Sequence, residues 1–118
     1  MLKELDKKQF HELYQKLPED LQDAIYAEET GLNAEAICER NKIPELFGFL
    51  IDSILSVYLG VMPLDKFLAE MGKRIKDKPG ERQIMSEIDR FLIVPYKESI
   101  AKIYSTANSS QPETPPAQ

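Results

Sequence analysis

Tryptophan is absent from this chain, and histidine and cysteine occur once each, as His11 and Cys38. A lone cysteine forms no disulfide within the chain, so packing must supply the stability. One histidine and one cysteine fall short of a structural zinc set, and no second histidine completes an H-E-x-x-H pair with His11 and Glu12. The five glycines form neither a G-x-x-x-x-G-K-[ST] phosphate loop nor a G-x-G-x-x-G dinucleotide turn. No D-x-D-x-D-G calcium loop is present. A nucleophilic pair of Cys38 and His11 is formally available. Cys38, however, adjoins Ile37 on an apolar face, where cysteine acts as a small core residue. The sequence therefore assigns no catalytic, cofactor-binding or metal-ligating residue, expects no cofactor, and reads as a non-enzyme.

Uninterrupted apolar runs of membrane-span length are missing too. The most apolar stretch, residues 46–62, contains Asp52, Ser53 and Ser56, and a carboxylate at a bilayer centre is costly. It reads as a core helix and the turn that follows. The opening MLKELDKKQF is charged where a signal peptide needs an apolar run. The expectation is a cytoplasmic protein with no membrane partner.

At 118 residues there is room for one domain. A chain of this size buries roughly two-thirds of its surface on folding, enough for a core without staples. Apolar residues make up 42% and charged residues 30%, both ordinary for a globular chain. The net charge of −5 argues against broad nucleic-acid binding, where Lys and Arg must neutralise phosphates. The charge is uneven. Residues 17–39 hold seven acids and no Lys or Arg, whereas residues 73–82 hold five bases and two acids. Two patches of opposite sign follow, able to attract each other within one molecule or between two.

Helical spacing runs through most of the chain. Leu5, Phe10, Leu13 and Leu17 make one stripe over residues 3–16. Pro18 opens a second helix, with Glu19 and Asp20 suited to its positive end. This helix is expected over residues 18–29, stopping at Thr30-Gly31. Asn33 then caps a third helix to residue 41, with Leu32, Ala36, Ile37 and Cys38 on its apolar side. Pro44 starts a central helix over residues 44–59 that is apolar nearly all round, as a helix buried on several sides must be. Its exception is a row of small or polar residues four apart, Gly48, Asp52, Ser56 and Gly60. A fifth helix spans residues 64–76, with Phe67, Leu68, Met71 and Ile75 on one side. Lys78-Pro79-Gly80 is read as a break. Residues 81–104 form a last helical segment that kinks or divides at Pro95, which also pushes Val94 out of helical geometry. Residues 105–118, STANSSQPETPPAQ, lack large apolar side chains and are expected to be disordered.

Three stretches carry a resemblance: LPEDLQDAIYAEET (17–30), LGVMPLDKFLAEM (59–71) and IDRFLIVPYKESIAKIY (88–104). Within them lie Gly60, Pro63 and Phe67, then Ile88-x-Arg90, Pro95-x-Lys97 and Tyr104. In these features the chain resembles a group of small uncharacterised all-helical proteins of candidate-phylum bacteria. The resemblance implies an independently folding helical module and carries no activity.

The expected architecture is all-α: a compact bundle of five or six short helices around the central apolar helix, forming one domain over residues 1–104. Its core is expected to draw on Leu13, Leu21, Ile25, Ile37, Leu50, Ile54, Leu55, Phe67, Leu68, Ile84, Ile88, Phe91 and Ile100. The functional expectation is a protein-interaction or adaptor module, with self-association as one form of it. The candidate interaction surface in this reading is Asp20, Asp23 and Glu28 together with Lys73, Arg74 and Lys76. Two alternatives stand beside it. One is a small-molecule-binding or enzymatic domain using Asp52 as a buried polar group, with Tyr58, Tyr96 and Tyr104 read as core-edge residues with wet hydroxyls. The weaker one is nucleic-acid contact through Lys73, Arg74, Lys76, Lys78 and Arg82.

Overall fold

The computed structural model describes residues 6–76 and 78–109. Among these residues there is no strand, and the fold is all-α. Helix α1 spans Lys7–Gln15. Asp6 has extended backbone and accepts the Gln9 backbone N–H, while the Gln9 side chain accepts the Asp6 N–H in return. This reciprocal cap sets the start of α1 at Lys7, and residues 3–5 of the expected helix, Leu5 among them, lie outside the described residues.

Helix α2 spans Glu19–Tyr26, and α3 spans Glu28–Arg40. The boundary between them corrects the sequence reading. Ala27 alone is extended, and Thr30, Gly31 and Asn33 lie inside α3. Thr30 turns inward and donates its hydroxyl to the Ala24 carbonyl at 2.7 Å. It thereby satisfies an end of α2 that a C-terminal glycine would otherwise close. Glu28 and Glu29 occupy the first turn of α3, where the helix dipole favours acids. Gly31 keeps a negative φ and is an ordinary helix residue. Leu32, expected on the apolar side, is 54% exposed. Helix α3 ends where expected, with Lys42 in the left-handed region at φ 61° and the Ile43 N–H donating to the Cys38 carbonyl.

A 3-10 turn over Pro44–Leu46 leads into α4, Phe47–Leu59. Leu50, Ile54, Val57, Tyr58 and Leu59 are fully buried, and α2, α3 and α5 pack on this helix. The row of small residues along α4 does not act as one stripe. Gly48 faces open space, while Ser56 is fully buried and donates to the Asp52 carbonyl. Gly60 ends the helix at φ 89°, in left-handed geometry that glycine alone adopts without strain.

Helix α5, Leu64–Arg74, buries Phe67 and Met71, and Ile75 follows them into the core. Helix α6 spans Lys78–Ile88. Pro79 and Gly80, read as a break, lie in its first turn, where a missing proline N–H costs nothing. One π-helical turn, Asp89–Ile93, and one 3-10 turn, Val94–Tyr96, then join α6 to α7, Lys97–Ser109. The expected kink at Pro95 is thus present. Val94 itself stays in right-handed helical geometry, and the distortion falls on Ile93, at φ −112° and ψ −52°. The widened turn absorbs the proline one residue earlier, with the Val94 N–H reaching the Asp89 carbonyl.

Of the expected core, Phe91 is the exception. It is 38% exposed, and the others are buried or packed on the core. Helix α7 runs to Ser109, past the expected onset of disorder at residue 105, and residues 110–118 lie outside the described residues. No helix among the described residues is long and apolar enough to cross a membrane.

Candidate functional site

The break at Ala27 sets the charged face that the sequence singled out. It places the start of α3 beside α2, and α2 also packs on α7. Asp20 accepts the Ser99 hydroxyl from α7, at 2.7 and 2.8 Å. Burial raises the Tyr96 phenol above its ordinary pKa, and the carboxylates of Glu29, Asp20 and Asp23 add to the rise. Acids from both helices therefore converge near the start of α7. Asp23 and Glu28 are exposed. Among the described residues no Lys or Arg pairs with Asp23, Glu28, Glu29 or Glu35.

Apolar surface lies within this acidic face. Tyr26 is 69% exposed and Leu32 54% exposed. Leu32 sits four residues after Glu28 and three before Glu35, so all three share one exposed stripe of α3. Tyr26 meets Tyr14 edge-on at 5.4 Å, and Phe10 lies 6.2 Å beyond. The aromatic row links α1 to the end of α2.

The basic segment is more self-contained. Arg74 stacks its guanidinium on the Phe49 ring at 3.8 Å. Lys73 pairs with Glu70, and Lys78 pairs with Glu81 while donating to the Gly72 carbonyl. Lys76 is exposed. Lys73, Arg74 and Lys78 are thus held by neighbours on α4, α5 and α6, and no ion pair joins them to the acidic face among the described residues.

Asp52 is half-buried and has a partner of its own. It lines neither of two clefts flanking α7. The first, about 510 Å³, lies between the α1–α2 link, the end of α4 and α7. The second, about 440 Å³, lies between the start of α5, Ile93 and α7. Two of the three tyrosines, Tyr58 and Tyr104, differ from their reading as residues with wet hydroxyls. Tyr58 is fully buried, donates its hydroxyl to the Leu92 carbonyl at 2.6 Å and meets the Tyr96 ring at 5.1 Å. Burial raises its pKa strongly. Tyr104 donates to the Met62 carbonyl, and burial pushes its phenol up to about 12. These hydroxyls serve the core. Cys38 is buried, and burial followed by the nearby Glu45 carboxylate pushes its thiol up to about 11. A thiol in that state is a poor nucleophile. His11 is exposed. No group of three or more His, Cys, Asp and Glu is placed to hold a metal among the described residues.

Compared with known proteins, the chain matches no family model, no curated protein and no solved structure.

One buried charge escaped the sequence reading. Glu87 is only 8% exposed and accepts from Arg40 at 2.9 and 3.1 Å, from Asn41 at 3.1 Å and from Gln83. Desolvation raises its pKa, but the three hydrogen-bonding partners and the Arg40 charge outweigh it and hold the carboxyl below its ordinary value. The available signal was spacing, since Glu87 falls three residues after Ile84 on the apolar stripe of α6. Phe91, next along, has the guanidinium groups of Arg40 and Arg90 near its ring, at 6.0 and 5.7 Å from the centroid. Those cations cover the ring that the core does not.

Proposed function

We propose that this protein is an interaction module whose α2–α3 face binds a cationic, partly apolar segment of another protein. The observation that carries the reading is the exposure of Tyr26 and Leu32, 69% and 54%, inside a run of seven acids without a Lys or Arg. Isolated exposed apolar residues are common on protein surfaces. Here two large ones lie among carboxylates that no base of the chain neutralises, among the described residues. Such a face gains from a partner that brings both cations and apolar side chains: the cations steer association and the apolar contacts hold it. The reading assigns no catalytic step and no cofactor.

The test is fluorescence anisotropy with two labelled amphipathic helical peptides that share one leucine pattern, one carrying lysines and one glutamates. Binding should be confined to the lysine peptide, weaken as salt rises, and fall with Leu32→Ser. Equal binding of the Leu32→Ser protein would leave only non-specific charge attraction and sink the reading. A concentration-dependent increase in solution mass would assign the face to a second copy.

A further inference from the structure

We infer that the cleft between the α1–α2 link, the end of α4 and α7 is a binding site for a monoanionic amphiphile, a carboxylate carried on a saturated chain. The inference is independent of the acidic face. The floor and walls are Leu13, Leu17, Pro18, Leu59 and Ile103. Leu17 and Leu59 are buried beneath the cleft, whereas Leu13 and Ile103 are half-buried at its sides. Helix α1 contributes no fully buried side chain among the described residues, so its apolar side is left half-covered. The volume of about 510 Å³ falls within the roughly 300–1,000 Å³ of small-molecule sites.

Charge selects the ligand class. In a chain of net charge −5, the charged residues described in this lining are both lysines, Lys16 and Lys102. Lys102 has a partner of its own, so Lys16, exposed and unpaired among the described residues, is assigned the head group. No acid, amide or hydroxyl side chain is described in the lining. A ligand with several polar groups would therefore find no side-chain partner for them here apart from the lysines, only backbone and water. A single anionic head with an apolar chain satisfies everything the cleft presents.

The experiment is calorimetric titration of the full chain with straight-chain carboxylates from hexanoate to dodecanoate, below their micellar concentrations, and with dodecan-1-ol. Affinity should rise by up to about fourfold per added methylene until the cleft is full. Lys16→Glu should weaken dodecanoate by about threefold to tenfold while leaving dodecan-1-ol unchanged. Methyl NMR shifts on dodecanoate addition should centre on Leu13, Leu17, Leu59 and Ile103. Equal dodecanoate affinity in Lys16→Glu, shifts centred elsewhere, or binding only to vesicles of anionic phospholipid would overturn the inference. So would binding that emerges only when residues 110–118 are deleted, since the chain itself would then be the occupant.

Discussion

The two ends of α3 treat acidic charge in opposite ways. At its C-terminal end, Arg40 and Asn41 reach across to Glu87, and Gln83 completes the set around a buried carboxylate. At its N-terminal end, Glu28, Glu29 and the nearby Asp23 face outward without a basic partner among the described residues. A carboxylate removed from water must be paired and hydrogen-bonded or it destabilises the fold. Glu87 meets that demand inside the molecule. The exposed acids face no such demand, so their charge remains available to something outside it.

Replacing Glu87 tests the contrast most strongly. Glu87→Ala should lower the unfolding free energy by about 2 kcal/mol, since hydrogen bonds to a charged group contribute more than neutral ones. The figure lies within rather than above the usual range because the Arg40 side chain is 50% exposed and water screens that pairing. Glu35→Ala, on the outward face, should change stability by less than about 0.5 kcal/mol. Denaturant unfolding of both variants measures the difference, and equal losses would erase the distinction between the two ends. Acid sharpens it further. The folded pKa of Glu87 is lowered from 4.5, so the unfolded state takes up a proton first as pH falls. Its stabilisation is therefore fully present above about pH 4.5 and is lost as pH drops through the lowered folded value. Glu87→Gln should flatten that part of the stability profile.

Two hydroxyls carry the demand that buried polar groups be paired into the core. Tyr58 donates to the Leu92 carbonyl, and Tyr58→Phe should destabilise by about 1.5 kcal/mol. Ser53 is also buried, but its hydroxyl has no hydrogen-bond partner. Ser53→Ala should raise stability by about 1 kcal/mol by removing an unmet polar group. Thermal unfolding of the two variants should therefore shift in opposite directions.

The architecture was legible because the apolar spacing of α4, α5 and α6 is strong and prolines mark several helix starts. The division between α2 and α3 was not. Thr30-Gly31 carries the usual signal of a helix end, yet Thr30 finds a carbonyl acceptor in the preceding helix, a tertiary contact that no local pattern reveals. Phe91 failed for a related reason: it follows the apolar stripe of α6, but the π-helical turn rotates it outward beside two arginines. The exposure of Asp20, Asp23 and Glu28 could be read from the charge run because exposed acids obey local composition. Spacing puts Glu87 on the apolar stripe of α6, but the partners that let it be buried, Arg40 and Asn41, lie more than forty residues away in the chain, which no local pattern reveals.

A stability effect as small as that of Glu35→Ala belongs to the residue given the largest role in binding. Leu32→Ser should alter unfolding free energy by less than about 0.5 kcal/mol, because the side chain is 54% exposed and only a small difference in helix propensity remains. Its effect on the lysine peptide should instead match the loss of an apolar contact, a weakening of about fivefold or more. Glu35→Lys, one turn along the same stripe, should weaken that binding chiefly at low salt, since exposed charges are screened as ionic strength rises. The two variants thus separate contact from steering: the Leu32 effect should persist at high salt and the Glu35 effect should fade. If both fade together, Leu32 is an ordinary exposed side chain, and the N-terminal end of α3 presents charge alone.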